Sequence, residues 1–150
     1  MFAESQASIE PLSDHPSALP IAARWVWETW RSKTYDETLA SLDSPDDCPP
    51  TLIAIDAGRQ PIGVLGFGRF RRAEDATATL WVNVLYVVEE QRSRGVGSRL
   101  LVAAIDRAQS WTELLYIYTD VPGWYVDRGW TAIESTDDGT VLSLSLSSAR

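Results

Sequence analysis

Gln91-Arg92-Ser93-Arg94-Gly95-Val96-Gly97-Ser98-Arg99-Leu100-Leu101 stands between an apolar, β-rich run at residues 80–88 and a helix-like run at residues 100–108. Strand, glycine turn, helix is how a backbone builds an anion cradle. Glycine lacks Cβ and tolerates positive φ, so the chain can approach a ligand closely. The helix that follows directs its free N–H groups and positive dipole end at whatever sits there. Arg92, Arg94 and Arg99 add charge-assisted bonds suited to phosphate. The guest this stretch fits is a phosphate or pyrophosphate.

The rest of the chain is acidic, which isolates that basic island. Its 150 residues hold 13 Lys and Arg against 21 Asp and Glu, a formal net charge of −8. Proteins that coat nucleic acid or anionic membrane need basic surface, so neither is expected as a partner. The length fits one domain over residues 1–150 with a sizeable core. Residues 1–8 are expected either to be loosely ordered or to begin an edge strand. Cys48 is the only cysteine, which excludes an intramolecular disulfide, and its loop setting makes it incidental. His15 is the only histidine and sits near the N-terminus before Pro16. A His-based metal site or a Ser-His-Asp triad would rest wholly on it, so neither is expected. No run approaches transmembrane length, and the N-terminus lacks the basic and apolar regions of a signal peptide. A cytoplasmic protein is the expectation.

Apolar periodicity predicts a helix over residues 21–32, with Ala22, Trp25, Val26, Thr29 and Trp30 on one face. Thr34-Tyr35-Asp36-Glu37 has the spacing of a capping box and starts a short helix to about residue 42. Strands follow at residues 51–55 and 61–70, joined by the turn Asp56-Ala57-Gly58-Arg59. Gly63, Gly66 and Gly68 in the second strand mark either a bulge or a close approach to the backbone. Further on come a strand at 77–88, a helix at 97–109, a strand at 114–119, a short helix at 122–128 ended by Gly129, and strands at 130–134 and 140–146. Trp81, Trp111 and Trp130 read as core; Tyr116 and Tyr118 either line a cleft or, the preferred reading, pack in the core. The order mixes hairpins with one strand–helix–strand crossover. It predicts an α/β (α+β) fold with a mixed sheet and helices on both faces.

That order of elements, with Arg92-Ser93-Arg94-Gly95-Val96-Gly97 after the fourth core strand, resembles the GCN5-related N-acetyltransferase (GNAT) superfamily. The family's acyl-CoA motif is Gln/Arg-x-x-Gly-x-Gly/Ala. Downstream, Trp124-Tyr125-Val126-Asp127-Arg128-Gly129-Trp130 resembles the family's FYxxxGF segment. The resemblance covers roughly residues 21–146 and is strongest over 80–129. It implies the acyl-CoA N-acyltransferase fold, a mixed, mostly antiparallel sheet of six to seven strands. It also implies an acetyl-CoA-dependent N-acetyltransferase working by direct transfer in a ternary complex, as a monomer or homodimer, without a metal. The acceptor is an amine: a small molecule, an amino acid or a peptide N-terminus.

Carried onto this chain, the resemblance assigns the pantetheine arm to the backbone of Leu85, Tyr86 and Val87. The pyrophosphate falls to Arg92, Ser93, Arg94, Gly95, Val96, Gly97 and Ser98, and the role of general acid near the sulfur to Tyr125. A phenol is mostly protonated at neutral pH and can protonate a departing thiolate. The sequence departs from the family twice. The loop Thr119-Asp120-Val121-Pro122-Gly123 lacks the usual asparagine, leaving Asp120 or backbone groups to take its part. Residues 77–86 contain no acidic residue, so the family's strand glutamate is missing and Asn83 is the most polar interior member. The base is then either a more distant carboxylate acting through water, or none, the amine arriving neutral. Glu28, on the first helix, and Asn83 are the candidate acceptor contacts. A non-catalytic acyl-CoA-binding module of the same fold is the alternative that these departures leave open.

Overall fold

The computed structural model describes residues 7–43 and 45–146. Seven strands, β1 (Ser8–Pro11), β2 (Leu52–Ile55), β3 (Pro61–Phe70), β4 (Thr79–Val87), β5 (Leu114–Thr119), β6 (Thr131–Ser135) and β7 (Thr140–Ser145), form one sheet in the order β1-β2-β3-β4-β5-β7-β6. All neighbours are antiparallel except β4 and β5, which are parallel. The crossover between those two is α3 (Val96–Ala108). The predicted mixed, mostly antiparallel sheet is therefore the one observed. Of residues 1–8, the first six lie outside the described residues, Ala7 is buried, and Ser8 opens the edge strand.

Helices cover both faces because strand alternation gives the sheet two apolar sides. On one side α1 (Leu19–Trp30) and α2 (Tyr35–Asp43) bury Ala22, Ala23, Val26 and Leu42 against Ile53, Ile55, Val64 and Val84. On the other, α3 and α4 (Pro122–Val126) bury Val96, Leu100, Leu101, Ala104 and Tyr125 against Leu52, Leu65, Leu80, Leu115 and Leu142.

Local chemistry sets the helix ends. α1 starts two residues earlier than predicted, with Pro20 in its first turn, where a missing N–H costs no hydrogen bond. It stops at Arg31, in the left-handed region at φ 52°. The capping box at Thr34 forms in both directions: the Glu37 amide donates to Thr34 Oγ1 at 3.1 Å, and the Thr34 amide donates to Glu37 Oε1 at 2.9 Å. α4 ends in a Schellman turn, with Gly129 at φ 97°. There the Trp130 amide donates to the Tyr125 carbonyl at 3.1 Å, and the Gly129 amide to the Val126 carbonyl at 3.0 Å.

Three expectations about burial need correction. Thr29 and Trp30 do not share the buried face of α1: both are exposed, Trp30 at 49 %, although its ring meets that of Tyr86 edge-on at 6.4 Å. Trp111, in the turn after α3, is 41 % exposed, whereas Trp81 and Trp130 are core. Tyr116 is buried and stacks on Trp81 with ring centroids 5.1 Å apart, but Tyr118 is 50 % exposed.

The β3–β4 register contains the feature that shapes the site. Gly66 faces Val84 and Phe67 faces Val82, so Asn83 is an extra residue, a bulge. The bulge exchanges the faces of β4. Leu80 and Val82 belong with the α3 side, then Val84 and Tyr86 with the α1 side, then Leu85 and Val87 with α3 again. β4 pairs with β5 only at Trp81↔Tyr116 and Val82↔Ile117. Beyond these rungs both strands continue without pairing to each other, and a gap opens.

Two of the β3 glycines, Gly63 and Gly66, sit where helices press on the sheet. A Cβ at Gly63 would lie 3.1 Å from both Leu100 Cδ1 and the Tyr86 carbonyl, and one at Gly66 would lie 3.1 Å from Leu42 Cδ2. Gly63→Val is therefore expected to cost about 1–3 kcal/mol by overpacking against α3. Urea unfolding reads this as a lower midpoint at unchanged slope.

Candidate functional site

Two cavities meet at the gap. One, of about 430 Å³, is lined by Leu85, Ile117 and Tyr125 from the α3 side, with Thr119, Asp120 and Val121 from the end of β5 and Asp138 from the β6–β7 turn. The other, of about 530 Å³, is lined from the α1 side by Val26, Trp27, Arg31, Lys33, Thr38, Phe70 and Trp81, among others. Trp30, Val82, Asn83, Val84 and Tyr118 line both. The bulge residue thus stands where spaces from opposite faces of the sheet join. A third cavity, of about 320 Å³, lies at the far end of β4 and is lined by Val87, Gln91, Arg92, Ser93, Gly95, Gly97, Ser98, Trp124 and Arg128.

The third cavity lies at the glycine turn, where an anion cradle is expected. Gly95 caps α3 at φ 85°, a conformation that costs an ordinary residue energy and glycine little. The first backbone bond of α3 runs from the Arg99 amide to the Gly95 carbonyl at 3.0 Å. The amides of Val96, Gly97 and Ser98 precede it and have no partner within the helix. A Cβ at Gly97 would stand 3.8 Å from Val87 Cγ2 and 3.9 Å from Trp124 Cζ2, taking up room on the cavity floor. These features fit an anion held by backbone N–H groups.

The arginines divide. Arg92 lines the cradle, donates from Nε to the Val87 carbonyl at 2.8 Å, and lies over the Tyr86 ring, 5.4 Å from its centroid. Arg94 is exposed and outside the lining, and Arg99 lines a separate shallow depression on α3. The second cation in the cradle is Arg128, which the sequence reading passed over. Its guanidinium lies 3.8 Å from the Trp124 ring centroid and donates to the Trp124 carbonyl at 2.9 Å and to Ser98 Oγ at 3.1 and 3.2 Å. Trp124 and Arg128 are four residues apart, so one helical turn stacks them; that spacing was the available signal.

Tyr125 is 5 % exposed, wedged edge-on between Trp124 and Trp130, with ring centroids 4.9 and 5.7 Å away. Burial pushes its phenol up to about 12, with the Arg128 charge pulling weakly the other way. The phenol therefore stays protonated through the neutral range. Asn83 is exposed to both large cavities. Glu28 is not in the lining of either; it pairs with Arg24 across one helical turn at 3.6 Å. Asp138, at the β6–β7 turn, is a carboxylate of this lining that belongs to no motif in the chain. Cys48 is buried, which raises its thiol, and it lines none of these spaces. Among the described residues, no cluster of His, Cys, Asp and Glu could hold a metal ion, and no helix is long and apolar enough to cross a membrane.

The sequence signature of the acetyltransferase (GNAT) family matches residues 14–123. The chain belongs to the GNAT family. No curated protein matches it in sequence. Solved GNAT-type structures share its fold. A chain of the NatC complex bound to Gag peptide and CoA is 18 % identical, with a TM-score of 0.71 over 93 % of this chain and 98 % of that one. Arabidopsis thaliana Naa50, in complex with the bisubstrate analogue CoA-Ac-MVNAL, is 16 % identical, with a TM-score of 0.66 over 93 % and 98 %. Tetrahymena GCN5 is 18 % identical, with a TM-score of 0.65 over 94 % and 96 %. At these identities the likeness establishes the GNAT fold.

The raised phenol has a consequence for stability. The unfolded chain ionises Tyr125 near pH 10, while the folded chain resists until about 12. Its contribution is complete below about pH 10 and is lost as pH rises toward the folded value. Tyr125→Phe is expected to lose less stability than the parent between pH 10 and about 12, read from urea midpoints across that range.

Proposed function

We propose that this GNAT protein is an acetyl-CoA-dependent N-acetyltransferase that moves an acetyl group directly to an amine. One observation carries the reading: the end of β4–β5 pairing after Val82, with Tyr125 in the gap and the cradle of α3 at its far end. Between them runs β4, with Leu85 lining the cavity of the phenol and Val87 lining the cavity at the glycine turn. Acetyl-CoA would supply an activated thioester when bound.

The chain's own groups divide the work. Val96, Gly97 and Ser98 amides, with Arg92 and Arg128, hold the pyrophosphate. Leu85, Tyr86 and Val87 present the unpaired edge of β4 to the pantetheine amides. An amine entering from the α1 side meets the thioester at Asn83. The amine nitrogen forms the new C–N bond, the C–S bond breaks, the amine gives up one proton, and the thiolate takes one from Tyr125. Tyr125 is suited to this donation and not to accepting the amine proton, because burial keeps it protonated. Asp120 and Asp138, exposed in the same cavity, are the carboxylates that can receive the amine proton through water. A protein that binds acyl-CoA without turnover is the competing outcome.

Thiol release from acetyl-CoA in the presence of amines tests the reading. Tyr125→Phe is expected to lower kcat by about 100-fold with CoA affinity unchanged. Unaltered turnover would remove the phenol from the reaction. Arg128→Ala is expected to weaken CoA by about tenfold, and pantetheine, which lacks the pyrophosphate, hardly at all. Calorimetric titration of both ligands checks this, and equal losses would place Arg128 outside the phosphate site.

A further inference from the structure

The cavity on the α1 side is cationic within a chain of net charge −8. Its walls are aromatic: Trp27, Trp30, Phe70, Trp81 and Tyr118. Its charged members are Arg31 and Lys33, and no carboxylate lines it. The carboxylates Asp120 and Asp138 lie across the bulge, in the neighbouring cavity. The cleft therefore changes sign at Asn83, cationic toward α1 and acidic toward Tyr125.

Arg31 is held in place by two features. It terminates α1 in the left-handed conformation, its amide donating to the Trp27 carbonyl at 2.9 Å. Its guanidinium lies 4.1 Å from the Trp27 ring centroid. Among the described residues it forms no ion pair, and neither does Lys33. Lys33 feels the Glu37 carboxylate, but that group accepts a hydrogen bond from the Thr34 amide in the capping box. Two cations without a paired carboxylate, set in an aromatic pocket of small-molecule size, suit a ligand that brings its own anion.

We infer that the acceptor is a small amine that also carries a carboxylate and an apolar or aromatic body, as an aromatic amino acid does, with Arg31 and Lys33 selecting the carboxylate. This rests on the acetyl-transfer reading above. The aromatic walls take the body, and the amine lies toward Asn83 with Asp138 beyond it. Polyamines are disfavoured, because a second ammonium would have to sit beside Arg31 and Lys33.

Calorimetry on the CoA-bound protein tests this with L-phenylalanine, L-phenylalaninamide and spermidine as probes. L-Phenylalanine is expected to bind about tenfold tighter than its amide, one charge-assisted contact, and spermidine more weakly than either. Arg31→Asn keeps a residue that tolerates the left-handed conformation and removes the charge. Arg31→Asn combined with Lys33→Gln should erase the preference for the carboxylate while CoA affinity stays constant, which also reports an intact fold. Equal binding of acid and amide by the parent, or a preference that survives in the double variant, overturns the inference. Thiol release on the same samples separates the two claims. Preference without turnover counts against the catalytic reading alone. Turnover of amines without preference counts against the selectivity alone.

Discussion

Parallel pairing between β4 and β5 lasts for two rungs, and the site depends on its stopping there. Trp81 stacks on Tyr116 on one face of the sheet, while Val82 and Ile117 pack on the other. These contacts hold the strands together up to the bulge. At Asn83, β4 spends one residue out of register with β3, and its later residues present the opposite faces. After that point, extending the pairing would have to occur between strands already diverging. The unpaired edges need hydrogen-bond partners from outside the sheet, since buried backbone polar groups left alone cost free energy. A gap of this kind is both a structural liability and a place for an extended amide-bearing ligand.

The remaining elements act on that gap from its ends. The cap at Gly95 aims the amides of α3 at the far end of β4. At the near end, Gly129 turns the chain sharply after α4, so that the Tyr125 carbonyl receives the amides of Arg128 and Trp130. The same turn lets Arg128 reach back to Ser98, tying α4 to the first turn of α3. Cradle and phenol are thereby parts of one assembly. On the other face, α1 ends early enough to leave Trp30 uncovered, and Arg31 closes the helix over an aromatic pocket. In a chain of net charge −8, basic side chains line both the cradle and the pocket at Arg31.

Much of this could be read from the chain because it is encoded locally. The glycine turn, the capping box at Thr34 and the stop at Gly129 each need a few adjacent residues with a defined backbone requirement. The sheet with two covered faces followed from strand periodicity and one crossover. Asn83 could not be placed by alternation because alternation is what a bulge breaks. Trp30 satisfied the helical spacing of a buried face, but spacing does not tell whether a neighbouring element covers that turn. Arg128 lay inside a recognised segment, and only its stacking on Trp124 turned it toward Ser98. Asp138 comes from a hairpin tip that carries no signal beyond a turn, so only the folded chain brings it into the cavity that Tyr125 lines. Glu28, chosen from its neighbours in sequence, faces Arg24 instead.

The central claim is that the unpaired edge of β4 and the amides of α3 bind one ligand together. Amide hydrogen exchange, followed residue by residue with and without CoA, tests it most directly. CoA is expected to slow exchange in two separated stretches, residues 84–87 and 95–98, and to leave the β2–β3 amides unchanged. Protection confined to residues 95–98, with residues 84–87 exchanging as fast as before, would contradict it.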